Sequence, residues 1–229
     1  MKTSLLWSSR LLRLFRLKAE IDRFLVLSVC FSLFLLAVRI FSTHSLLSAS
    51  LAWNLFLAWF PYGLSSWLYR HTALLKGKWV YAVLFLVWLL FIPNSFYIIT
   101  DLFHLHDARN APLWYDLLLI FSFAWNGLLM GILSIRSMEK VTQVFLPFRY
   151  DWTFLYPVML LNALGVFIGR YLRYNSWDVV VSPVSLTADM LRLLLHPALH
   201  KQEWAMVLSY SLFMTMLYVT IKKISRLIW

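Results

Sequence analysis

The stretch WVYAVLFLVWLLFIPNSFYIITD spans residues 79–101. From Trp79 to Thr100 it carries no charged side chain. A helix crossing a bilayer needs about 20 mostly apolar residues, so this run is long enough to span. Pro93 removes a backbone donor inside the run and bends it locally. Asn94 places an amide next to that bend. Beyond the run, LFHLHDARNAPLWYD (102–116) gathers two histidines and two aspartates before the chain turns apolar again.

Five more stretches read the same way, giving spans at about 24–41, 46–69, 79–100, 113–134, 153–172 and 203–221. The composition agrees. The 229 residues are 62% hydrophobic and 14% charged, whereas soluble domains average about 45–50% apolar and 25% charged. Backbone groups in lipid must bond within their own segment, so long apolar runs span as helices. The expected fold is an all-α, polytopic transmembrane helix bundle of about six spans. The division is a basic amphipathic tail at 1–23, a membrane domain at 24–221 and a second basic tail at 222–229.

Basic residues set the expected orientation. Six lie in the N-terminal tail and three in each of the 70–78 segment, the 135–152 segment and the C-terminal tail, which leaves six of 21 for the other side. Both termini are therefore expected in the cytoplasm, and an uncleaved first span is expected because its apolar region exceeds that of a signal peptide. The net charge of +11 sits at the ends of apolar runs, not on one patch, which points to membrane lipids and away from nucleic acid. The single cysteine, Cys30, excludes an internal disulfide and any CxxC site. In the last outer segment, Thr187 is the expected N-cap of a short interfacial helix that ends before Pro197.

On this topology the chemistry collects outside. Asp101, Asp107, Asp116, Asp178, Asp189 and Glu203 fall there, as do His44, His104, His106, His196 and His200. At helical spacing Asp101 and His104 share a face, while His106 points away from His104. Asp101, His104 and Asp116 form one candidate metal set; polar tips turned to water are the plainer alternative. Arg170, Arg173 and Tyr174, in GRYLRYNSWD (169–178), would share the outer end of the fifth span. Such arginines suit an anion bidentately, pair with the aspartates, or snorkel to headgroups. Asn54, Asn94, Asn126 and Asn162 lie inside spans, where amides usually bond between helices. Asn54 and Asn94 can also floor a pocket below Asp101 and Arg170. The GxxxG pairs Gly127–Gly131 and Gly165–Gly169 suit close helix contact. His200 and Glu203 can share a face at the start of the sixth span. Zincin, Walker, nucleophile-elbow and dinucleotide-binding patterns are absent from the sequence.

WNLFLAWFPYGLS (53–65), PNSFYIITDLFHL (93–105) and GRYLRYNSWD (169–178) together resemble the bacterial integral membrane family known as domain of unknown function 1361. The resemblance covers about residues 25–220 and implies a multi-pass protein of a bacterial cytoplasmic membrane. It brings no activity or cofactor, and it groups Asp101, His104, Arg170, Arg173, Asn175 and Asp178. Three functions stay open: a site for a small or lipid-headgroup anion, bound or transported, formed by Arg170, Arg173, Asn175, Asp178, Asn94 and Asn54; a metal-dependent hydrolase of a lipid-linked substrate; and an assembly protein without ligand. No motif specifies a cofactor or a protein partner, and whether the chain is an enzyme is left open. Reporter tags on both termini are expected to read as cytoplasmic, and Arg109→Cys to react with an impermeant thiol reagent from outside. An external C-terminal tag would mean an odd number of spans.

Overall fold

The computed structural model describes residues 2–43, 49–72, 77–104, 112–147 and 151–228; side chains are described for these except 2–19, 104 and 226–228. The elements are α1 (Lys2–Thr43), α2 (Ser50–Arg70), α3 (Lys78–Phe91), α4 (Pro93–Tyr97), the 3-10 segment η1 (Ile98–His104), α5 (Leu113–Phe145), α6 (Trp152–Tyr171), α7 (Asp178–Val181), α8 (Pro183–Leu195) and α9 (Lys201–Ile228). Among the described residues there is no strand, and five helices are long and apolar enough to cross a membrane. They lie at Glu20–Thr43, Lys78–Phe103, Leu113–Phe145, Trp152–Tyr171 and Lys201–Ser225. The 21-residue α2 completes a bundle of about six spans. Its tryptophans, tyrosines, serines, Asn54 and Pro61 dilute its apolar character, which is why it stands apart from the other five.

Contacts between helix ends fix an up-and-down arrangement. At one end Asp22 of α1 meets Tyr62 of α2, Tyr81 of α3 bonds Thr142 of α5, and Lys222 of α9 bonds Asp151 before α6. At the other, Arg39 meets Asp116, Asn54 meets Asp101, and Arg170 meets Asp101. The first is the basic end of the bundle, where the chain's two tails lie.

α5 is the centre. In its most apolar window 61% of residues are buried inside the protein, against 28% for the windows of α1, α3 and α9. Between helices in lipid there is little hydrophobic drive, so small residues and hydrogen bonds hold the contact. α5 supplies both. Ser134 Oγ donates to the Pro61 carbonyl at 2.9 Å, accepts from Trp88 Nε1 at 2.8 Å, and lies 3.0 Å from Ser65 Oγ. Asn126 Nδ2 donates to Ser32 Oγ of α1 at 2.9 Å. Outside this core, Phe24, Phe41, Trp79, Val83 and Leu86 are exposed, as side chains facing hydrocarbon would be.

The bend at Pro93 shapes everything beside the site. Lacking its N–H, Pro93 loosens the helix, and Ser95 N–H turns to Ile92 O at 3.1 Å. Asn94 Nδ2 donates to the Phe91 carbonyl at 3.0 Å, and Ser176 Oγ to the Leu90 carbonyl at 3.2 Å, so polar side chains serve carbonyls near the bend. The short α4 then wedges between α5 and α6. Both GxxxG pairs face it: a Cβ added at Gly127 would lie 2.6 Å from Ser95 O, at Gly131 2.5 Å from the Phe96 ring, and at Gly165 2.4 Å from Pro93 Cγ. Gly169 is looser, with the Tyr97 ring 3.4 Å away.

Several boundaries differ from the sequence reading. α5 continues to Phe145, so most of the expected 135–152 loop is helix. α9 likewise runs through the expected C-terminal tail to Ile228, and α1 joins the basic tail to the first span without a break. The interfacial helix α8 starts at Pro183, a favoured first-turn position, and not after Thr187, whose hydroxyl donates back to Pro183 O at 2.6 Å. Leu193 of α8 is buried in a cluster with Phe167 of α6 and Val207 of α9.

Gly127→Ala, Gly131→Ala and Gly165→Ala are each expected to lower stability by about 1–3 kcal/mol through overpacking. Gly63→Ala, where the new Cβ would meet only Trp59 at 3.5 Å, should be neutral or stabilising by up to about 1 kcal/mol. Thermal unfolding in detergent reads the difference; equal effects at all four positions would remove the wedge as their cause.

Candidate functional site

η1 carries Asp101 to the end of the third span, where α6 delivers Arg170. Their closest approach is 3.5 Å, Nη1 to Oδ1, and both side chains are nearly buried. The guanidinium is held further: Nη2 donates to the Thr100 carbonyl at 2.9 Å and Nη1 to the Tyr97 hydroxyl at 3.4 Å, while its carbon lies 5.5 Å from the centre of the Phe103 ring. Asn54 of α2 donates to the second carboxylate oxygen, Oδ2, at 3.0 Å. Arg170, Asp101 and Asn54 therefore tie α6, η1 and α2 together.

Behind this ion pair lies a cavity of ≈190 Å³, lined among others by Asn54, Pro93, Asn94, Tyr97, Gly165, Tyr174, Asn175 and Ser176. The glycine stripe of α6 and the bend at Pro93 make its walls. Asn94 Nδ2 donates to Ser176 Oγ at 2.9 Å, closing α4 against the segment after α6. Among the described residues, the amide oxygens of Asn54 and Asn94 accept no hydrogen bond; their nitrogens do all the bonding. Tyr174 donates its hydroxyl to Asp189 Oδ2 of α8 at 2.9 Å, fixing α8 to the cavity wall.

The residues singled out from the sequence divide. Asn54, Asn94 and Asn175 line the cavity, and Arg170 with Asp101 stands beside it. Arg173 does not share a helical face with Arg170, because α6 ends at Tyr171. Arg173 adopts a left-handed φ of 59°, a conformation that usually falls to glycine past a helix end, and is exposed next to the lining residues Tyr174 and Asn175. Asp178 accepts from the Asn175 N–H at 2.6 Å and starts α7, a local turn contact. Asp116 belongs elsewhere: Arg39 grips its carboxylate with Nε at 2.6 Å and Nη2 at 3.2 Å, and both side chains are buried. Among the described residues no three His, Cys, Asp or Glu side chains gather to hold a metal ion. The His104 side chain, like His44, His106, Asp107 and Arg109, lies outside the described residues. His200 and Glu203 do share a face, 3.1 Å apart.

Sequence reasoning missed the other end. Glu139 is 1% exposed and bonds the Tyr218 hydroxyl, Lys222 Nζ at 2.6 Å and Arg136 Nη1 at 2.6 Å; Lys222 also bridges to Asp151 at 2.7 Å. The signal was present. Ile135, Met138, Glu139 and Thr142 continue the i, i+3, i+4, i+7 stripe of α5, but the presumed loop hid it. Arg39, a lone charge inside an apolar run, likewise demanded a partner.

Residues 53–217 match the family described as "Protein of unknown function (DUF1361)". That is well over half of the chain, and the chain belongs to this family. No curated protein and no solved structure matches it.

Breaking a buried pair from one side costs about 3–5 kcal/mol, because the survivor stays uncompensated. Arg170→Ala and Asp101→Ala are expected to destabilise separately by more than half of what the double variant loses. Arg39→Ala with Asp116→Ala should couple more strongly still, since that contact is shorter and more buried. Double-mutant cycles on thermal unfolding in detergent measure both couplings; strict additivity would show arginines held by solvent or headgroups instead.

Proposed function

We propose that this member of a membrane family of unknown activity binds a small hydroxyl-bearing anion, free or as a lipid headgroup, in the amide-lined cavity. The observation that carries the reading is the convergence of Asn54, Asn94 and Asn175, from three parts of the chain, on one cavity of ≈190 Å³. That volume holds roughly six waters, the size of a small polar headgroup. The open amide oxygens of Asn54 and Asn94 call for donors, which hydroxyl groups supply. The Arg170 charge is already offset by Asp101, so it is poorly placed to receive an anion. Arg173, exposed beside Tyr174 and Asn175, is a cation at the rim that makes no ion pair among the described residues. The ligand's hydroxyls would enter the cavity and its negative group would stay at Arg173.

The setting proposed for this site is the outer side of a bacterial cytoplasmic membrane, with both termini inside. Its support is the bias of basic residues toward the end where the tails lie, together with the antiparallel helix ends.

sn-Glycerol 3-phosphate is the probe, with glycerol and inorganic phosphate as its two halves. Ligand at 100 times its dissociation constant adds about 2.7 kcal/mol, a shift of several degrees in unfolding temperature for a chain of this size. The expected order is glycerol phosphate above either half, with the shift reduced in Arg173→Gln and lost in Asn94→Leu. No shift with any probe, while Asn94→Leu lowers stability alone, would reduce the amides to structural parts.

A further inference from the structure

A second cavity, of ≈700 Å³, lies between α1 and α2 and shares no lining residue with the amide cavity. Its walls are apolar: Leu25, Val29 and Leu33 from α1 face Leu55, Phe56 and Trp59 from α2. Leu33, Phe56 and Trp59 are also exposed, so the groove opens sideways to the surroundings of the bundle. An apolar cavity does not hold water, and in a bilayer the available filling is hydrocarbon.

At the basic end of the bundle the groove changes character. Arg70 and His71 line it there, and Arg70 is exposed and makes no ion pair among the described residues. Asp22, the acid that lines the same groove, accepts from the Tyr62 hydroxyl. His71 Nδ1 lies 2.9 Å from the Trp67 carbonyl, turned toward its own helix. One turn inward is Ser66, only 2% exposed, which sits beside the Tyr62 side chain. The order along the groove is therefore a cation, then a long apolar slot.

We propose that the α1–α2 groove is a binding site for one anionic phospholipid. Its phosphate lies at Arg70, and an acyl chain fills the slot toward Leu33 and Phe56. The apolar slot alone would take any lipid. The Arg70 guanidinium, which makes no ion pair among the described residues, selects an anionic one, with a preference of about fivefold for a single cation near a charged headgroup. This proposal is independent of the amide cavity and stands or falls without it.

The full chain, reconstituted in nanodiscs of equal parts phosphatidylglycerol and phosphatidylcholine and then released into mild detergent, tests it by native mass spectrometry. One phosphatidylglycerol per chain is expected to remain, about fivefold over phosphatidylcholine. Arg70→Gln should abolish that preference, whereas Lys78→Gln, an exposed base at the same end outside the groove, should keep it. Cys30, the chain's single cysteine, lines the slot and supplies a second readout. Its alkylation by N-ethylmaleimide should be slower in phosphatidylglycerol than in phosphatidylcholine nanodiscs, and the difference should vanish in Arg70→Gln. Equal retention of the two lipids, an equal loss in Lys78→Gln, or alkylation indifferent to lipid would each overturn the proposal.

Discussion

The close approach of α4 to two glycine stripes is the constraint on which the other contacts depend. Pro93 cannot sit against α6 unless position 165 lacks a side chain, and Phe96 cannot sit against α5 unless position 131 does. Where apolar surfaces gain nothing by leaving lipid, such tight steric fit is a main source of helix association. The wedge also decides where the polar groups go. With α4 seated, η1 ends beside α6, Asp101 falls within reach of both Arg170 and Asn54, and the bend at Pro93 opens the amide cavity on its flank. Packing, ion pair and cavity are thus three results of one close contact.

Charges then pin what the glycines position. Asp116 with Arg39 joins α5 to α1, Asp101 with Arg170 joins η1 to α6, and Glu139 with Lys222 joins α5 to α9. Each pair is buried or nearly so, where an uncompensated charge is expensive and a wrong neighbour is not tolerated. Their value lies less in net stability than in fixing which helix faces which. Ser134 plays the same part without charge, binding α2 and α3 to α5 at a single hydroxyl.

The architecture was legible in residues that physics makes unambiguous. Uncharged runs such as Trp79–Thr100 can only span, and the GxxxG pairs announced close contacts, although not that both would clasp the same five-residue helix. Asn54 and Asn94 were readable as a pair because amides inside spans need partners, while Asn175, outside any span, entered only through the family resemblance. Asp116 was not, because α5 and α1 are distant in sequence and nothing in the apolar run around Arg39 shows which acid it will meet. Glu139 was misjudged for a different reason: helix ends outside the hydrocarbon leave a weak pattern, and basic residues at 136, 140 and 149 resemble a loop. Arg173 was assigned to a helical face because no glycine or proline marks the end of α6, and only its backbone torsion reveals the stop.

The length of α5 has a consequence for the membrane itself. Its 33 residues extend about 50 Å at 1.5 Å per residue, well beyond the roughly 30 Å of hydrocarbon in an ordinary bilayer. Asp116 and Glu139, each in its own charge cluster, are separated along this helix by about 35 Å. The two clusters therefore act as the marks of a gauge, resting near the two interfaces when the bilayer has matching thickness. A thicker sheet of lipid would draw one cluster into hydrocarbon or force it to thin locally, while a thinner one would be met by tilt. The bundle carries its preferred membrane thickness in the distance between two carboxylates.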